Sequence, residues 1–347
     1  MYRSVRELTP DRLYECALDL YRDMLAAGTT TVCEFHYVHH LYRGTPEDSA
    51  RAVARAARDV GIRQTLLPVL YRYGGFGRRT PSEAQRAFVL TPESCLDLIE
   101  RLKSDEDPLR HRVGYAPHSL RAVDHDDLVR LLEHRADATD AAPFHIHVSE
   151  QVREINEAVL ALGSRPVAWL FDRFDPDTGW CLVHATHMDE DERSRLAVSE
   201  AVVALCPTTE ADLGDGVFPL GDFLEDGGTF GLGSDSNLTV SAAEEIRLLD
   251  FQNRLLTRRR NAFSFAPGQG ASVRPATRLW LESLRGAARA TGLPVGAVEP
   301  GYAADFVSLS ADHPLALDGS ADDVLAAFVY SAGSEMIERV YIGGRAT

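Results

Sequence analysis

The sequence has few cysteines and no pattern that would pair them. Five cysteines are spread over 347 residues, and no C-x-x-C motif occurs. This spacing argues against a disulfide framework and a zinc ribbon, and it is typical of proteins in a reducing compartment. We therefore expect a cytoplasmic protein whose core is stabilised by packing, for which this length is sufficient.

Long apolar runs and excess positive charge are also lacking. No apolar stretch approaches the ~20 residues of a membrane-spanning helix, and the first residues, MYRSVRELTPDRL, lack the apolar core of a secretory signal. Lys and Arg number 36 against 52 Asp and Glu, which gives a formal net charge of −16. Because such a surface repels phosphate backbones, we expect no nucleic acid and no membrane as partner, and a small molecule as substrate.

Helices and short apolar strands alternate along most of the chain. Three helices are predicted to begin at Thr9-Pro10, Thr45-Pro46 and Thr91-Pro92, since Thr can cap a helix and Pro fits its first turn. The apolar runs between helices are typical of parallel strands covered on both faces. Strands are predicted at residues 30–35, 63–71, 113–116, 144–148, 181–185, 202–206 and 230–234.

Ionisable residues follow the ends of many of these strands. His118, His147, Glu150, His184 and Asp235 all lie at or just after a predicted carboxyl end. This distribution is typical of a barrel active site, whereas an open sheet collects its ligand groups at one switch point. No G-x-G-x-x-G or Walker loop supports a nucleotide-binding fold. The sequence therefore predicts an α/β fold with a (β/α)₈-type TIM barrel over residues 1–296.

The pattern changes after about residue 297. A turn leading into a strand at 302–309 and runs typical of strands at 324–330 and 337–342 follow one another without a helix of barrel length between them. We predict that residues 297–347 form part of a small β-sandwich side domain.

The segment from His145 to Glu150 carries the sharpest chemical signal. A neutral imidazole at His147 can bind a divalent metal, and the carboxylate of Glu150 can move protons to and from a metal-activated water. Two histidines hydrogen-bonded within the core would explain the segment alone equally well. His184 and Asp235, each at the end of a later strand, favour a metal-dependent hydrolase.

Six segments resemble the amidohydrolase superfamily and, within it, the formimidoylglutamate deiminase family. Together with the closing β-strands, the resemblance covers nearly the whole chain. The segments are residues 34–40 (EFHYVHH), 117–123 (PHSLRAV), 147–150 (HVSE), 180–188 (WCLVHATHM), 206–216 (CPTTEADLGDG) and 233–236 (GSDS).

This resemblance implies zinc-dependent hydrolysis of N-formimino-L-glutamate to N-formyl-L-glutamate and ammonia, a step of histidine degradation. It implies that His147 and Asp235 bind the zinc, that Glu150 moves protons, and that His184 lies beside the metal-activated water. Asp235 would also accept a proton from that water. The family further suggests a homodimer.

The resemblance also implies the residues that bind the glutamate end of the substrate. These are His118, Arg121 and Tyr37, and an Arg fork suits a carboxylate. Local alternatives remain open: Arg121 could pair with Asp124 or Asp126 on the following helix, and Tyr37 could be a packed aromatic residue. Another deaminase of the superfamily, acting on a different amidine or a ring, would be favoured if Arg121 pointed away from the pocket.

The sequence departs from the superfamily pattern at its start. The superfamily carries a His-x-His pair of metal ligands on its first barrel strand, and residues 1–4 (MYRS) resemble the region just after that pair. We therefore expect a barrel without its first strand and a zinc site lacking two ligands. Three explanations remain open: a misassigned or shortened start, complementation by another chain, or a catalytically incompetent truncated homologue.

Overall fold

A computed structural model describes residues 7–137, 142–264, 273–316 and 319–347, so the predicted match at residues 1–4 lies outside the described part. Within these ranges, no helix is long and apolar enough to cross a membrane. The helices are α1 (Pro10–Ala26), α2 (Pro46–Val60), α3 (Pro92–Lys103), α4 (His125–Asp137), α5 (Val152–Leu162), α6 (Pro166–Phe171), α7 (Glu190–Val198), α8 (Pro207–Leu213), α9 (Leu220–Glu225), α10 (Ala242–Thr257), α11 (Pro275–Thr291) and α12 (Ala321–Ala327).

The three predicted helix starts are confirmed. The side chains of Thr9, Thr45 and Thr91 each accept a hydrogen bond from the backbone N–H three residues later. Each cap thereby satisfies one of the N–H groups that the first turn of a helix leaves without an intrahelical partner. Helix α2 ends as predicted at Gly61, whose φ of 89° is a left-handed conformation that glycine adopts without a steric penalty.

The predicted parallel strands are confirmed, with boundaries that differ by at most two residues. The prediction at 113–116 corresponds to two short pieces that both pair with β2. The strands are β1 (Thr31–His36), β2 (Arg63–Leu70), β3 (His111–Val113), β4 (Ala116–Pro117), β5 (Phe144–Val148), β6 (Trp180–His184), β7 (Val202–Leu205) and β8 (Thr229–Leu232).

Strand pairing follows chain order in a (β/α)₈-type barrel. The sheet β1-β2-β3/β4 and the sheet β5-β6-β7-β8 are joined by parallel bridges from Tyr115 to Phe144 and from Ser119 to His147. In the part of the chain that the structure describes, β1 and β8 each pair with one neighbour only.

The amino-terminal end of the barrel is closed by the last turn of helix α11. The carbonyl of Ala290 accepts from the Cys33 thiol at 3.8 Å and from the His145 Nε2 at 2.8 Å, and the Thr291 carbonyl accepts from the Thr65 hydroxyl at 2.6 Å. These barrel side chains satisfy carbonyls that a helix end leaves unpaired. The opposite, carboxyl end of the strands is left for the polar residues.

A small antiparallel sheet follows the barrel, in the order β11-β10-β9. Its strands are β9 (Phe306–Leu309), β10 (Ile337–Ile342) and β11 (Arg345–Ala346). The predicted strand at 324–330 is wrong, because these residues continue helix α12 and then form a helical turn. Ser320 and Asp323 form a reciprocal capping box that starts the helix, and the Leu-Ala-Ala run that follows has high helix propensity.

Candidate active site

A cavity of about 300 Å³ opens at the carboxyl ends of the barrel strands, on the side opposite α11. Leu20 and Met24 of helix α1 line the cavity with apolar side chains, and Glu34 of strand β1 also lines it. The cavity brings together six of the seven predicted site residues, which are Tyr37, His118, His147, Glu150, His184 and Asp235.

Three side chains in this cavity can converge on one metal ion. The ligand atoms of His147, His184 and Asp235 lie within 4.8 Å of one another. Two imidazoles and one carboxylate match the three protein ligands of many catalytic zinc sites, in which water takes the fourth position. The donor set therefore fits zinc, and it has one more member than the two ligands that the sequence predicted.

His147 is held with its Nε2 towards the cluster. Its Nδ1 lies 3.1 Å from the carbonyl oxygen of His118. Because a carbonyl only accepts, Nδ1 carries the proton and Nε2 keeps a free lone pair. Burial, helped by the nearby His118 and His184, lowers the pKa of His147 well below its usual value. The ring is therefore neutral, as a metal ligand must be.

His184 ends strand β6 in a left-handed conformation, with a φ of 68°. Its Nδ1 lies 3.1 Å from Glu210 Oε1, and its buried Nε2 has no hydrogen-bond partner among the described residues. Burial lowers the pKa of His184, but the hydrogen bond to Glu210 and the charge of Glu150 outweigh it and raise the pKa overall. An unpartnered nitrogen in this position suits a ligand.

Glu150 is fixed at the cavity by the first turn of helix α5. The buried carboxylate of Glu154 accepts from the N–H groups of Ser149 and Glu150, each at 3.1 Å. The Glu150 side chain then reaches two partners: Oε1 lies 4.0 Å from His184 Nε2, and Oε2 lies 2.9 Å from Arg121 Nη2. Glu150 is thus a carboxylate within reach of the metal cluster.

Arg121 is the one predicted site residue that does not line the main cavity. It lines a neighbouring cavity of about 260 Å³, while its guanidinium reaches Glu150. The local alternative, pairing with Asp124 or Asp126, is not observed, because both carboxylates face Arg78 at 2.7 Å and 3.6 Å. Arg121 is therefore connected to the main cavity by its contact with Glu150, which lines that cavity.

His118 and Tyr37 form an aromatic wall of the cavity. The ring of His118 stacks on His147 at 5.2 Å, and Tyr37 contacts it edge-on at 5.6 Å. Tyr37 also packs against Phe88 at 5.1 Å. Tyr37 is therefore both a packed aromatic residue and a cavity residue.

Four other histidines of the barrel make hydrogen bonds within the protein. The Nε2 atoms of His36, His39, His40 and His145 contact Ser49 Oγ and the carbonyls of Val69, Val89 and Ala290, respectively. None of the four belongs to the cluster of possible metal ligands found in the described residues.

Sequence reasoning missed two buried carboxylates that support the site, Glu154 and Glu210. Each lies in the first helical turns after a strand and accepts the N–H of a residue four positions earlier, Glu150 and Cys206 respectively. That position, in a helix that directly follows a strand ending in polar residues, is the signal that could have found them.

Comparison with known proteins adds independent findings. The Amidohydrolase family model matches residues 2–347. Formimidoylglutamate deiminase from Pseudomonas aeruginosa is 40% identical over 349 residues, which cover 99% of this chain and 76% of the relative. A 5-methylthioadenosine/S-adenosylhomocysteine deaminase from Natronomonas pharaonis is 26% identical over 97% of this chain and 71% of that protein.

A solved structure is also close. The crystal structure of an amidohydrolase from Brucella melitensis superposes with a TM-score of 0.90 at 38% identity, covering all of this chain and 76% of that one. A zinc-bound adenosine deaminase from Xanthomonas campestris has a TM-score of 0.78 at 21% identity, over 98% of this chain and 70% of that one, and shows the shared fold.

Proposed function

The chain belongs to the amidohydrolase family, and on that premise we propose that it hydrolyses N-formimino-L-glutamate to N-formyl-L-glutamate and ammonia, a step of histidine degradation. The observation that carries the proposal is the convergence of His147, His184 and Asp235 beside Glu150 and Arg121. The similarity to the Pseudomonas formimidoylglutamate deiminase supports the same substrate.

We propose zinc as the metal, with His147 and Asp235 as its ligands in this chain and His184 beside the metal-activated water. When bound there, zinc would supply Lewis acidity and a water of lowered pKa. The two histidines are held by different acceptors. The Nδ1 of His147 contacts a backbone carbonyl, and the Nδ1 of His184 contacts a carboxylate.

Proton transfer is assigned to carboxylates at the same end of the barrel. Hydrolysis adds water to the formimino carbon and breaks the bond to the terminal nitrogen, which leaves as ammonia after gaining protons. Asp235 accepts a proton from the attacking water. Glu150, whose Oε1 lies 4.0 Å from His184 Nε2, passes protons to the departing nitrogen. His184 stabilises the charge that develops as the water attacks.

The glutamate end of the substrate carries two carboxylates, which we assign to Arg121, His118 and Tyr37. Arg121 uses one Nη2 contact for Glu150, and its guanidinium has five donor hydrogens in total. It can therefore bind a substrate carboxylate and keep Glu150 nearby. His118 and Tyr37 lie on the adjoining wall, where their rings would pack against the substrate chain.

The test begins with zinc content per chain, measured by elemental analysis after gel filtration, and continues with ammonia release from N-formimino-L-glutamate. We expect about one zinc per chain, as a single catalytic site requires. Asp235→Asn should lose both metal and activity. Asp212→Asn, an exposed carboxylate of the same region, should keep both.

Two results would overturn the proposal. A folded, zinc-loaded protein that deaminates a purine nucleoside but not formiminoglutamate would be a different deaminase of the family. A folded protein that binds no zinc would be the catalytically incompetent homologue.

The setting of the enzyme is part of the same proposal. We propose a cytoplasmic homodimer that binds its small-molecule substrate and neither nucleic acid nor membranes. The free cysteines and the net charge of −16 support this setting. Light scattering after gel filtration should give twice the chain mass of 38.2 kDa, and the mass of one chain would contradict the dimer.

A further inference from the structure

Glu150 leaves strand β5 through a turn with an uncommon backbone conformation. Ser149, the residue before it, is fully buried and has a φ of 53°, in the left-handed region. A residue with a Cβ is sterically disfavoured there, so the conformation persists only where its surroundings hold it. The direction in which the Glu150 side chain leaves the strand therefore depends on what holds this turn.

Hydrogen bonds hold the turn on both sides of Ser149. The carbonyl of Ser149 accepts from the backbone N–H of His187 at 3.0 Å. The N–H groups of Ser149 and Glu150 donate to Oε1 and Oε2 of Glu154, each at 3.1 Å. Glu154 is the third residue of helix α5 and is only 2% exposed. One buried carboxylate thus fixes two successive N–H groups of the turn.

Glu154 also interacts with the cation that contacts Glu150. Burial raises the pKa of Glu154, and the charge of Arg121 and the two N–H groups act against this rise. Burial lowers the pKa of Arg121, but the charges of Glu154 and Glu150 outweigh it and raise the pKa overall. The carboxylate that holds the turn and the carboxylate that the turn carries are therefore coupled to one guanidinium.

We infer that Glu154 is the positioning residue of Glu150: it fixes the turn after β5, so that the Glu150 carboxylate stays at the cavity and in contact with Arg121. This inference rests on the proposed role of Glu150 in proton transfer. A group that moves protons must lie within hydrogen-bond reach of the reacting atoms, and a displacement of about 1 Å can lower the rate about 100-fold. Glu154 acts through Glu150 and needs no contact with the substrate.

Glu154→Gln removes this support while it keeps the size of the side chain. An ionised carboxylate accepts with both oxygens, whereas an amide has one accepting oxygen and an NH₂ group that donates. One of the two N–H groups of the turn therefore loses its acceptor and faces another donor. Because a buried N–H without an acceptor is destabilising, the turn at Ser149 should lose its fixed geometry.

Glu192 provides a matched control at the next helix start along the chain. It is also buried, and its two oxygens accept from the N–H groups of Ala168 at 3.0 Å and Asp189 at 3.1 Å. It contacts an arginine as well, Arg165, at 2.7 Å. These partners connect helices α6 and α7 instead of a turn at the cavity. Glu192→Gln therefore reports what the loss of an equally buried carboxylate does to the fold alone.

The first measurement is amide hydrogen exchange in the metal-free full chain, followed by ¹H–¹⁵N NMR. In Glu154→Gln, we expect the N–H groups of Ser149 and Glu150 to exchange about tenfold faster than in the wild type, as the loss of one hydrogen bond implies. In Glu192→Gln these two groups should exchange as in the wild type. The N–H groups of Ala168 and Asp189 should exchange faster there instead.

The second measurement is steady-state release of ammonia from N-formimino-L-glutamate by the zinc-loaded proteins. In Glu154→Gln, kcat and kcat/KM should fall together by about 10- to 100-fold, since Glu150 is assigned to proton transfer and not to substrate binding. Glu192→Gln should keep both constants. Circular dichroism and urea unfolding confirm that each variant is folded.

Glu154→Asp is a second variant at the same position. It keeps the charge on a side chain shorter by one CH₂ group, so its exchange rates and its kcat should lie between those of the wild type and Glu154→Gln. If Glu154→Gln does not fold, Glu154→Asp carries both measurements.

Wild-type exchange at Ser149 and Glu150 in a folded Glu154→Gln protein would overturn the inference. Equal losses of kcat in Glu154→Gln and Glu192→Gln would also overturn it, since the effect would then belong to the fold. So would a raised KM at constant kcat, which would assign Glu154 to substrate binding. The exchange measurement needs neither metal nor substrate. A protein that shows the expected exchange but releases no ammonia would therefore refute the proposed function and leave the positioning of Glu150 standing.

Discussion

Arg121 and Glu150 form an ion pair at the edge of the active-site cavity, with Nη2 and Oε2 separated by 2.9 Å. The two side chains are 28% and 13% exposed, so water screens the pair only in part. The pair connects the residue that we assign to substrate carboxylate binding with the residue that we assign to proton transfer. Both assignments can be tested on the same two side chains.

Arg121→Ala should raise KM for N-formimino-L-glutamate by about 10- to 100-fold, because a hydrogen bond to a charged group is worth ~1.5–3 kcal/mol. Steady-state ammonia release measures the change. Formamidine, an amidine without carboxylates, is the control substrate, and its KM should stay constant. An equal loss for both substrates would show that Arg121 acts through Glu150 alone.

The buried ion pair between Arg63 and Asp305 should anchor the small sheet to the barrel. The two side chains are 4% and 3% exposed, with Nε to Oδ2 at 2.6 Å and Nη2 to Oδ1 at 2.9 Å. Asp305→Ala should lower the free energy of unfolding by about 3–5 kcal/mol, because it leaves a buried charge unpaired.

Urea unfolding followed by circular dichroism measures this change. The control is Glu15→Ala, which breaks the exposed pair with Arg12 and should leave the midpoint unchanged. An Asp305→Ala midpoint equal to that of the wild type would show that the sheet is held by other contacts.

Helix α11 packs against β8 through a glycine. A Cβ built on Gly286 would lie 1.9 Å from the carbonyl oxygen of Phe230, which is backbone and cannot rotate away. Alanine in a helix interior normally gains ~1 kcal/mol over glycine. Here we expect Gly286→Ala to destabilise the fold by about 1–3 kcal/mol through overpacking.

Arg285→Ala is the control, because Arg285 precedes Gly286 in the same helix and its side chain is 66% exposed. Its free energy of unfolding should stay within about 0.5 kcal/mol of the wild-type value. Thermal unfolding of both variants measures the two changes in stability. A Gly286→Ala protein more stable than the wild type would mean that helix propensity outweighs the contact.

Glu245 should make the stability of the metal-free protein depend on pH. Burial raises the pKa of Glu245 from 4.5 to about 7. Between these values the folded chain holds a proton that the unfolded chain has released, so the free energy of unfolding falls as the pH rises. The stabilisation is fully present below about pH 4.5 and is lost by about pH 7, a change of roughly 3 kcal/mol.

Glu245→Gln carries no titrating group at this position and should lose this part of the pH dependence. Urea unfolding of both proteins from acidic to neutral pH, with a chelator present, gives the two curves. If stability changed with pH in the same way in the wild type and in Glu245→Gln, the pH dependence would not come from Glu245.

Much of the barrel could be predicted because its signals are local. The cap of α1 at Thr9 involves a residue three positions away, and strand β7 (Val202–Leu205) is a continuous apolar run. The same locality explains the error at 324–330, where the apolar run was interpreted as a strand and the capping box at Ser320 was overlooked.

In the site too, the residues with local signals could be predicted and the contacts between distant residues could not. His118, His147, Glu150, His184 and Asp235 could be found because each lies at or just after the carboxyl end of a strand, and parallel strands of a barrel end at one face. The contact of His184 with Glu210 and that of Arg121 with Glu150 could not be found in this way. The partners lie 26 and 29 residues apart, on different elements.

The sequence by itself determined the alternation of helices and strands, the face at which polar residues gather, and the resemblance to a family. These depend on apolar periodicity, caps and short motifs, which act over a few residues. Only the tertiary structure decided that His184 lies beside His147 and Asp235, that it contacts Glu210, and that Arg63 binds Asp305 across 242 positions. Such pairs are set by how whole elements pack, and no local pattern of residues encodes that packing.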